Sequence, residues 1–427
     1  LKKVGVGYLS LNRPSNSLSG GETQRINLAT TLGSNLVGSM YILDEPSIGL
    51  HSRDTEKLIE ILKSLRDLGN TVVVVEHDED IIKAADTVID LGPEAGSNGG
   101  NLVFNGNQKE LMTAETLTAK YLRKELKTYE TSERDSKDFI NIEKAKENNL
   151  KSVDASFPLR CLTVVSGLSG SGKSTLIKKI LYPALQKHLG GYGEKVGSHQ
   201  DINGALNQID EVQFIDQNPI GKSSRSNPVT YIKAYDEIRA LYSSLGLSKS
   251  RGYKPAHFSF NVEGGRCEVC QGEGEITEEM QFMADIHLVC EECEGKRFKD
   301  EILEVKFHDK SIADILDLTV AEAIEFFSSY ADNKQSVKIS EKLLTLSAVG
   351  LDYVKLGQAS GTLSGGEAQR IKLATYLGKG SNRNHILFLF DEPTTGLHYH
   401  DISKLLKSFE SLLKLGHSIV VIEHNIE

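Results

Sequence analysis

The chain has 427 residues, of which 39% are hydrophobic and 25% charged, the composition of an ordinary globular protein of about three domains. No apolar run approaches the ~18 residues of a membrane helix, and no apolar leader precedes the first motif, so we expect neither a membrane partner nor secretion. The formal net charge of −10 excludes a uniformly basic nucleic-acid binder but permits a local basic track.

The first part of the chain contains three short motifs. In L-S-G-G-E, Ser19 and Glu22 have the spacing of a capping box and predict the start of a helix. Two short apolar strands with a helix between them follow, and they end in Asp44-Glu45 and in Glu76-His77. An isolated acidic pair at the end of a strand is common in proteins. A functional role is therefore predicted from the order of the motifs and not from the acidic pair alone.

The same motifs recur in the same order near the end of the chain. Their second copies are Ser364-Gly365-Gly366-Glu367, Asp391-Glu392 and Glu423-His424. The sequence therefore holds two copies of one module, which we call the first and second modules. Continuous apolar strands that alternate with helices predict an α/β fold with a parallel sheet covered on both faces.

Between the copies lies a match to G-x-x-x-x-G-K-[ST]. An apolar strand, Leu162–Val165, precedes it and a helical pattern follows, which is the context that a phosphate-binding P-loop needs. Lys173 is predicted to reach the β- and γ-phosphates and Ser174 to bind Mg²⁺; a glycine-rich turn that binds nothing is the alternative. The candidate residues are Gly167, Ser169, Gly170, Ser171, Gly172, Lys173, Ser174 and Thr175.

The two copies are incomplete in different ways. The first has no P-loop before its L-S-G-G-E motif, and the second ends shortly after His424. We therefore expect a segment of a longer protein. The predicted divisions are the end of a first module (1–126), a charged linker (127–140) and a second module (141–427), with an insertion at 222–345.

Four of the five cysteines form two C-x-x-C pairs separated by nineteen residues. Cys267, Cys270, Cys290 and Cys293 fit the spacing of a closed structural zinc site, with Gly272, Gly274 and Gly295 supplying tight turns. Two disulfides are the alternative. Metal-binding cysteines indicate a reducing, cytoplasmic compartment, and Cys161 is predicted to be a buried thiol.

Taken together, the P-loop, L-S-G-G-E, D-E-P, G-L-H and E-H motifs resemble the ATP-binding-cassette (ABC) ATPases. In that family the signature motif of one module closes over ATP held by the P-loop of the other. The resemblance implies Mg²⁺ at Asp391 and Asp44, general bases at Glu392 and Glu45, and γ-phosphate contacts from His424 and His77. Gln217 would sense Mg²⁺ and water, and His51 and His398 would be positioning residues. The signature residues are Ser19, Gly20, Gly21, Ser364, Gly365 and Gly366.

A closer resemblance is to the A subunit of the bacterial UvrABC excision-repair nuclease. It rests on Ile215–Gly221, Arg225–Pro228, Phe258–Asn261, Gly264–Gly272 and Cys290–Arg297. It implies two ABC-type P-loop modules with helical signature regions and a zinc-binding insertion. Such a protein is a dimeric ATPase that binds distorted duplex DNA and loads the B subunit through parts outside this chain; it is not itself a nuclease. Ser223-Ser224 and Leu168 depart from the family pattern.

DNA contact is predicted for a set of basic residues in the inserted region. The principal candidates are Lys222, Arg225, Arg251 and Lys254, with Lys233, Arg239, Lys296 and Arg297 nearby in the sequence. Phosphate contacts would give a sequence-independent, salt-sensitive grip, and a solvated charged face is the alternative. Three other functions stay open: a drug-resistance paralogue, a transporter ATPase subunit and a non-catalytic zinc-stabilised DNA-binding module.

Overall fold

The computed structural model describes residues 6–7, 9–12, 14, 20–33, 37–50, 52–93, 99–126, 134–168, 170–221, 225–278, 280, 286–378 and 384–425, without the side chains of 20, 21, 24, 31–33, 52 and 53. The chain forms two compact units: Leu1–Asp216 with Asn382–Glu427, and Gln217–Ser381. The first unit contains motifs of both modules. None of the described helices is both long and apolar enough to cross a membrane.

The first module occupies the beginning of the first unit. Its elements are α1 (Gly20–Gly33), β1 (Met40–Asp44), α2 (Ser52–Asp67), β2 (Thr71–Val75), α3 (Glu79–Ala84), β3 (Val88–Gly92), β4 (Asn101–Gly106), α4 (Gln108–Leu111) and α5 (Leu117–Leu122). Strands β1 and β2 are parallel, with Asp44 opposite Val75, and β3 and β4 form an antiparallel hairpin.

Only one face of the β1–β2 sheet is covered among the described residues. Leu58, Ile61, Leu62 and Leu65 of α2 form a core with the inward side chains of the sheet. The outward side chains Met40, Ile42, Val73 and Val75 are exposed. Among the described residues α2 packs against one side of β1 and β2, so the predicted cover on both faces is not found at these two strands.

The second module supplies the remaining elements of the first unit. These are β5 (Phe139–Ala145), β6 (Val153–Pro158), β7 (Leu162–Val165), a π-helical segment (Thr175–Leu181) that continues into α6 (Tyr182–His188), β8 (Asp201–Gly204), β9 (Glu211–Ile215), β12 (Ile386–Asp391), α15 (Tyr399–Lys414) and β13 (Ser418–Ile422). Strands β6-β5-β8 form an antiparallel sheet, and β7-β13-β12-β9 form a parallel one.

The parallel sheet brings the P-loop, Asp391-Glu392 and Glu423-His424 of the second module to one edge. Its strands β12 and β13 are buried along their length, as predicted from their continuous apolar sequence. The helix that follows the P-loop packs Ile177, Ile180 and Leu181 into the same core. Because all four strands run in one direction, their carboxyl ends and the loops that follow them share an edge.

The second unit is mainly helical and includes the cysteine pairs. Its elements are α7 (Pro228–Tyr231), α8 (Ala234–Ser244), α9 (Gly246–Arg251), β10 (Glu275–Glu278), β11 (Ile286–Val289), α10 (Asp300–Leu303), α11 (Ile312–Asp317), α12 (Val320–Ser328), α13 (Lys334–Ala348) and α14 (Gly365–Leu377). Strands β10 and β11 form an antiparallel hairpin. The buried phenols of Tyr235 and Tyr242 donate to the carbonyls of Phe258 and Lys310, both at 2.7 Å. The predicted divisions at 126, 140, 222 and 345 stay predictions.

A buried histidine network predicts acid sensitivity of the first unit. His385 Nδ1 lies 2.8 Å from the Gln208 carbonyl, so it donates, and Nε2 therefore accepts from the Ser418 hydroxyl at 2.7 Å in the neutral ring. Burial lowers the pKa of His385 below its ordinary 6.5. Unfolding restores that value, so the unfolded state takes up the proton first, and stability is lost as pH falls below about 6.5.

We expect the urea midpoint of the full-length protein to fall from pH 7.5 to pH 5.5. In His385→Asn, which keeps a side-chain amide in place of the ring, the midpoint is lower at pH 7.5 and its decline with pH is shallower. The exposed His188→Asn variant is the control and should keep the full decline. Equal pH dependence in His385→Asn and in the unmodified protein would contradict this assignment.

Candidate nucleotide and metal sites

The P-loop follows β7 and adopts the backbone that its glycines permit. Gly167, Gly170 and Gly172 have φ angles of 139°, 76° and 110°. A Cβ on Gly172 would lie 2.8 Å from Leu150 Cδ2, so a larger residue would displace the neighbouring turn. Ser169 lies outside the described residues.

Lys173 is buried inside the loop, with 8% of the residue exposed. Its Nζ donates to the carbonyl oxygens of Gly167 at 2.7 Å and Leu168 at 3.1 Å. Burial lowers the pKa of Lys173, while the carboxylates of Glu392, Asp391 and Glu423 act in the opposite direction. An ammonium held by loop carbonyls among acidic groups is arranged to exchange those carbonyls for phosphate oxygens.

Two asparagines that sequence analysis missed support the P-loop from the turn between β5 and β6. Asn149 Nδ2 donates to the Gly170 carbonyl at 2.7 Å, and Asn148 Nδ2 lies 3.4 Å from Thr175 Oγ1. Asn148 has a φ of 52°, which asparagine tolerates better than most residues. The consecutive asparagines between two apolar strands signal a turn, but their partner is distant in sequence.

The acidic pairs of the two modules have matching geometry. Glu45 and Glu392 have φ angles of 43° and 47°, in the left-handed region, and their N–H groups donate to Val75 and Ile422, each at 2.9 Å. His77 Nε2 lies 3.7 Å from Glu45 Oε1, and His424 Nε2 lies 3.4 Å from Glu392 Oε1. Each glutamate is thus directed toward the histidine of its own module.

A second glutamate in each module fixes that histidine. The Glu76 carboxylate accepts from the N–H groups of Ser47 (2.8 Å), His77 (2.9 Å) and Asp78 (3.1 Å). The Glu423 carboxylate accepts from the N–H groups of Thr394 (3.4 Å), His424 (3.0 Å) and Asn425 (3.2 Å). The repeated Glu-His pair is visible in the sequence, but the pattern there predicts a role for the histidine alone.

The turns after the two acidic pairs face each other inside the first unit. A Cβ on Gly49 would lie 3.4 Å from Glu392 Oε2, and a Cβ on Gly396 would lie 3.1 Å from both carboxylate oxygens of Glu45. A cavity of about 410 Å³ lies here, lined by residues of both modules that include Glu45, His77, Glu392 and His424. Each module therefore borders the other module's glutamate.

The two glutamates differ in charge environment. Burial raises the pKa of Glu45, and His77 offsets this only in part. Burial also raises the pKa of Glu392, but His424, Lys173 and Lys178 outweigh it, so the pKa lies below 4.5. Because two lysines of the P-loop helix stand near Glu392, that carboxylate stays ionised and able to accept a hydrogen bond or a proton.

The signature motif of the second module starts α14 as predicted. The Ser364 hydroxyl accepts from the Glu367 N–H at 3.2 Å, and the Glu367 carboxylate accepts from the Ser364 N–H at 2.8 Å, which confirms the capping box. Within the same unit, a Cβ on Gly365 would lie 3.2 Å from Gln217 Oε1. In the first module Gly20 and Gly21 begin α1, while Ser19 lies outside the described residues, so its approach to Lys173 stays a prediction.

His398, proposed as a positioning residue, caps α15 and contacts the first module. Its side chain accepts from the His400 N–H at 3.3 Å, and Nε2 lies 3.3 Å from Thr118 Oγ1. Tyr121 of α5 packs edge-on against the His398 ring, with 5.7 Å between centroids. Its counterpart in the first module, His51, lies outside the described residues.

The four paired cysteines converge in the second unit. Their Sγ atoms lie within 4.8 Å of one another, with 3.9 Å between Cys267 and Cys290 and 3.6 Å between Cys270 and Cys293. A tetrahedral zinc with Zn–S bonds of ~2.3 Å separates its sulfurs by about 3.8 Å, so the donor set fits that ion. All described cysteines are free, so the disulfide alternative is wrong.

The glycines after the cysteine pairs make the predicted turns. Gly272, Gly274 and Gly295 have φ angles of 86°, 82° and 79°. A Cβ on Gly272 would lie 2.2 Å from the Phe260 carbonyl oxygen, closer than any real contact. Backbone bonds also join the two cysteine pairs, since Cys290 N–H donates to Gly274 and Cys267 N–H donates to Arg297, at 2.9 and 2.8 Å.

Comparison with known proteins places this arrangement in a family. The chain is 52% identical over 430 residues to UvrABC system protein A of Clostridium perfringens, covering 100% of this chain and 45% of that protein. It is likewise 52% identical over 430 residues to the protein of that name from Aquifex aeolicus, with 100% and 46% covered. The chain belongs to the UvrABC system protein A (UvrA) family.

Solved structures support the same assignment. The crystal structure of UvrA2 from Deinococcus radiodurans matches with a TM-score of 0.92 and 44% identity, over 100% of this chain and 50% of that one. A model of ribosome-bound archaeal Pelota and ABCE1 matches with a TM-score of 0.50 and 17% identity, over 100% and 54%, which shows a shared fold alone. No protein-family model matches the chain. The α/β fold of ABC type is confirmed, and the chain spans about half the length of the curated relatives it matches.

In this UvrA-family chain the two arginines predicted to contact DNA each have an acidic neighbour. Arg225 Nε lies 3.6 Å from Glu273, and its Nη1 donates to the Gln271 carbonyl at 3.3 Å. Arg251 Nη2 lies 2.5 Å from Glu304. Lys254 is exposed, and Lys222 lies outside the described residues.

The other basic candidates are mostly paired as well. Arg239 pairs with Asp236, Lys296 lies 2.6 Å from Glu294, and Arg297 lies over the Phe260 ring at 5.6 Å, while Lys233 is exposed. A phosphate would have to compete with the carboxylates at these pairs.

Gly272→Ala should weaken the four-cysteine cluster, the candidate zinc site, through the backbone. The left-handed φ and the contact with the Phe260 carbonyl together are expected to cost about 2 kcal/mol or more. Thermal unfolding and zinc retention against a chelator measure the effect in the full-length protein. Gly252→Ala is the matched control, because Gly252 has a φ of 71° and nothing within 4 Å of the added Cβ. Equal zinc retention in both variants would contradict the assignment.

Proposed function

We propose that this chain is the ATP-binding and ATP-hydrolysing part of a DNA-damage recognition subunit of the UvrABC nucleotide excision repair system. The observation that supports it most is the reciprocal contact of the two acidic turns, Gly49 with Glu392 and Gly396 with Glu45. A transporter ATPase subunit would not need the cysteine-bearing second unit. A non-catalytic DNA-binding module would not need an ionised, histidine-paired glutamate beside a buried P-loop lysine.

One ATP site is built mainly from the second module. Lys173 and the P-loop N–H groups would hold the phosphates, and Ser174 and Asp391 would hold Mg²⁺, which neutralises phosphate charge when bound. Glu392 accepts a proton from the attacking water, and His424 keeps its carboxylate oriented through the 3.4 Å contact. The first module would supply Ser19, Gly20 and Gly21, and Gln217 would sense Mg²⁺ and water.

A second site would use the first module's acidic pair. Asp44, Glu45 and His77 have the geometry of Asp391, Glu392 and His424, and Ser364–Gly366 would cover the nucleotide. Its P-loop would come from sequence beyond this chain. Burial raises the pKa of Glu45 and His77 offsets this only in part, so this site is the less prepared of the two until phosphate and metal charges are present.

The cysteine cluster would hold a structural Zn²⁺ with no open position for catalysis. Its turn contacts Arg225 through Gln271 and Glu273, so the metal would fix a candidate DNA-contacting residue. By family resemblance the partners are duplex DNA with damage or distortion, a second copy of the protein and the excinuclease B subunit, which binds outside this chain. The location would be the cytoplasm. A drug-resistance paralogue would share the same ATP and zinc sites, and binding to lesion-bearing against intact duplex separates the two.

ATP hydrolysis tests the catalytic assignment. In the full-length protein that already carries Glu45→Gln at the second site, adding Glu392→Gln should lower kcat by about 10²- to 10⁴-fold with nucleotide binding retained, because it removes the proton acceptor. Lys173→Ala should lose nucleotide affinity at this site. Glu194→Gln, at an exposed carboxylate paired with Lys179, is the control and should behave like the unmodified protein. An undiminished kcat after Glu392→Gln is added to Glu45→Gln would refute the proposed base.

Salt dependence of DNA binding tests the basic track. Arg225→Glu with Arg251→Glu should weaken duplex affinity and reduce the slope of log K against log salt by about two, one for each phosphate that is no longer neutralised. Arg66→Glu, at an exposed ion pair in the first module, is the control. An unchanged affinity and slope would assign both arginines to structural ion pairs with Glu273 and Glu304.

A further inference from the structure

Lys178 lies on the P-loop helix and contacts the carboxylate that ends the central strand. Its Nζ is 2.6 Å from Asp391 Oδ2 and 5.3 Å from the centre of the Phe214 ring on β9. The Lys178 side chain is 39% exposed, against 21% for that of Asp391. One partner of this ion pair is therefore fixed in the sheet, whereas the other has a path to solvent.

The contact with Lys178 offsets negative charge that surrounds Asp391. Glu392 and Asp216 both act on Asp391 with like charge, and Lys178 provides the largest opposing charge. Lys173 cannot replace it, because the Lys173 ammonium donates to the carbonyls of Gly167 and Leu168. A half-buried carboxylate beside two others needs a cation close by, since an unpaired charge there is costly.

Two cations therefore compete for one carboxylate. Asp391 is the residue proposed to hold Mg²⁺, and a divalent ion next to a lysine ammonium would be repelled by it. Four rotatable bonds and partial exposure let the lysine move away into water once the metal has taken its place. The neighbouring Lys179 has no such role, because it pairs with Glu194 at 2.7 Å on the exposed side of the helix.

We propose that Lys178 is a displaceable counter-ion of Asp391, which holds this carboxylate until a divalent cation arrives and so sets the cation concentration at which the site is filled. The inference rests on the proposed role of Asp391 in Mg²⁺ binding. Lys178 is a positioning residue in this scheme, because it acts through Asp391.

The test measures metal affinity directly. Full-length protein is titrated with Mn²⁺ in the presence of a non-hydrolysable ATP analogue, and bound Mn²⁺ is followed by electron paramagnetic resonance. The Mn²⁺ signal that is present in the unmodified protein and absent from Lys173→Ala is assigned to this site. Lys178→Gln should need about tenfold less Mn²⁺ for half-saturation, because a repelling unit charge is gone. Lys178→Arg, which keeps the charge, and Lys179→Gln, which leaves the Asp391 pair intact, should match the unmodified protein.

A second measurement guards against misfolding. Without divalent cations, Lys178→Gln should unfold at a lower temperature than Lys179→Gln, and added Mn²⁺ with the analogue should raise its unfolding temperature by more. An unchanged or weaker Mn²⁺ affinity in Lys178→Gln overturns the counter-ion inference. Absence of any Mn²⁺ signal that depends on Lys173 in the unmodified protein would instead overturn the proposed ATP site.

Discussion

The arrangement of each module depends on one carboxylate that accepts hydrogen bonds from backbone N–H groups of two loops. Glu423 binds the N–H of Thr394 after the acidic pair together with the N–H groups of His424 and Asn425. Glu76 does the same in the first module. A buried charge with three donors is rigidly held, so the histidine and the acidic turn keep a fixed distance. The direction of Glu45 and of Glu392, the proposed catalytic glutamates, follows from that distance.

Glu45 and Glu392 themselves have a left-handed backbone conformation. Non-glycine residues adopt such a φ at a cost of about 1–3 kcal/mol, and they keep it where the surroundings determine it. Here the N–H of each glutamate bonds the neighbouring parallel strand while its side chain turns toward the histidine. The free energy gained by burying the sheet thus offsets the cost of this conformation, which directs each glutamate toward its histidine.

Local motifs could be predicted from the sequence, and distant contacts could not. The P-loop, the Ser364–Glu367 capping box and the cysteine pairs depend on spacing within a few residues, and the structure confirms their geometry. Asn149 and Lys178 depend on which elements pack together, so their partners Gly170 and Asp391 are invisible in a linear pattern. The same limit applies to the exposed face of β1 and β2, since an apolar strand does not reveal how many layers cover it.

The close approach of Gly49 and Gly396 to glutamates of the opposite module restricts which mutations this protein can tolerate. A side chain placed at one of these glycines would contact a glutamate that belongs to the opposite module, whose own sequence is untouched. Mutations in one repeat are therefore not independent of the other repeat, although the two are separated by hundreds of positions along the chain. At these positions the sequences of the two repeats are coupled, so a change in one repeat is expected to require a matching change in the other.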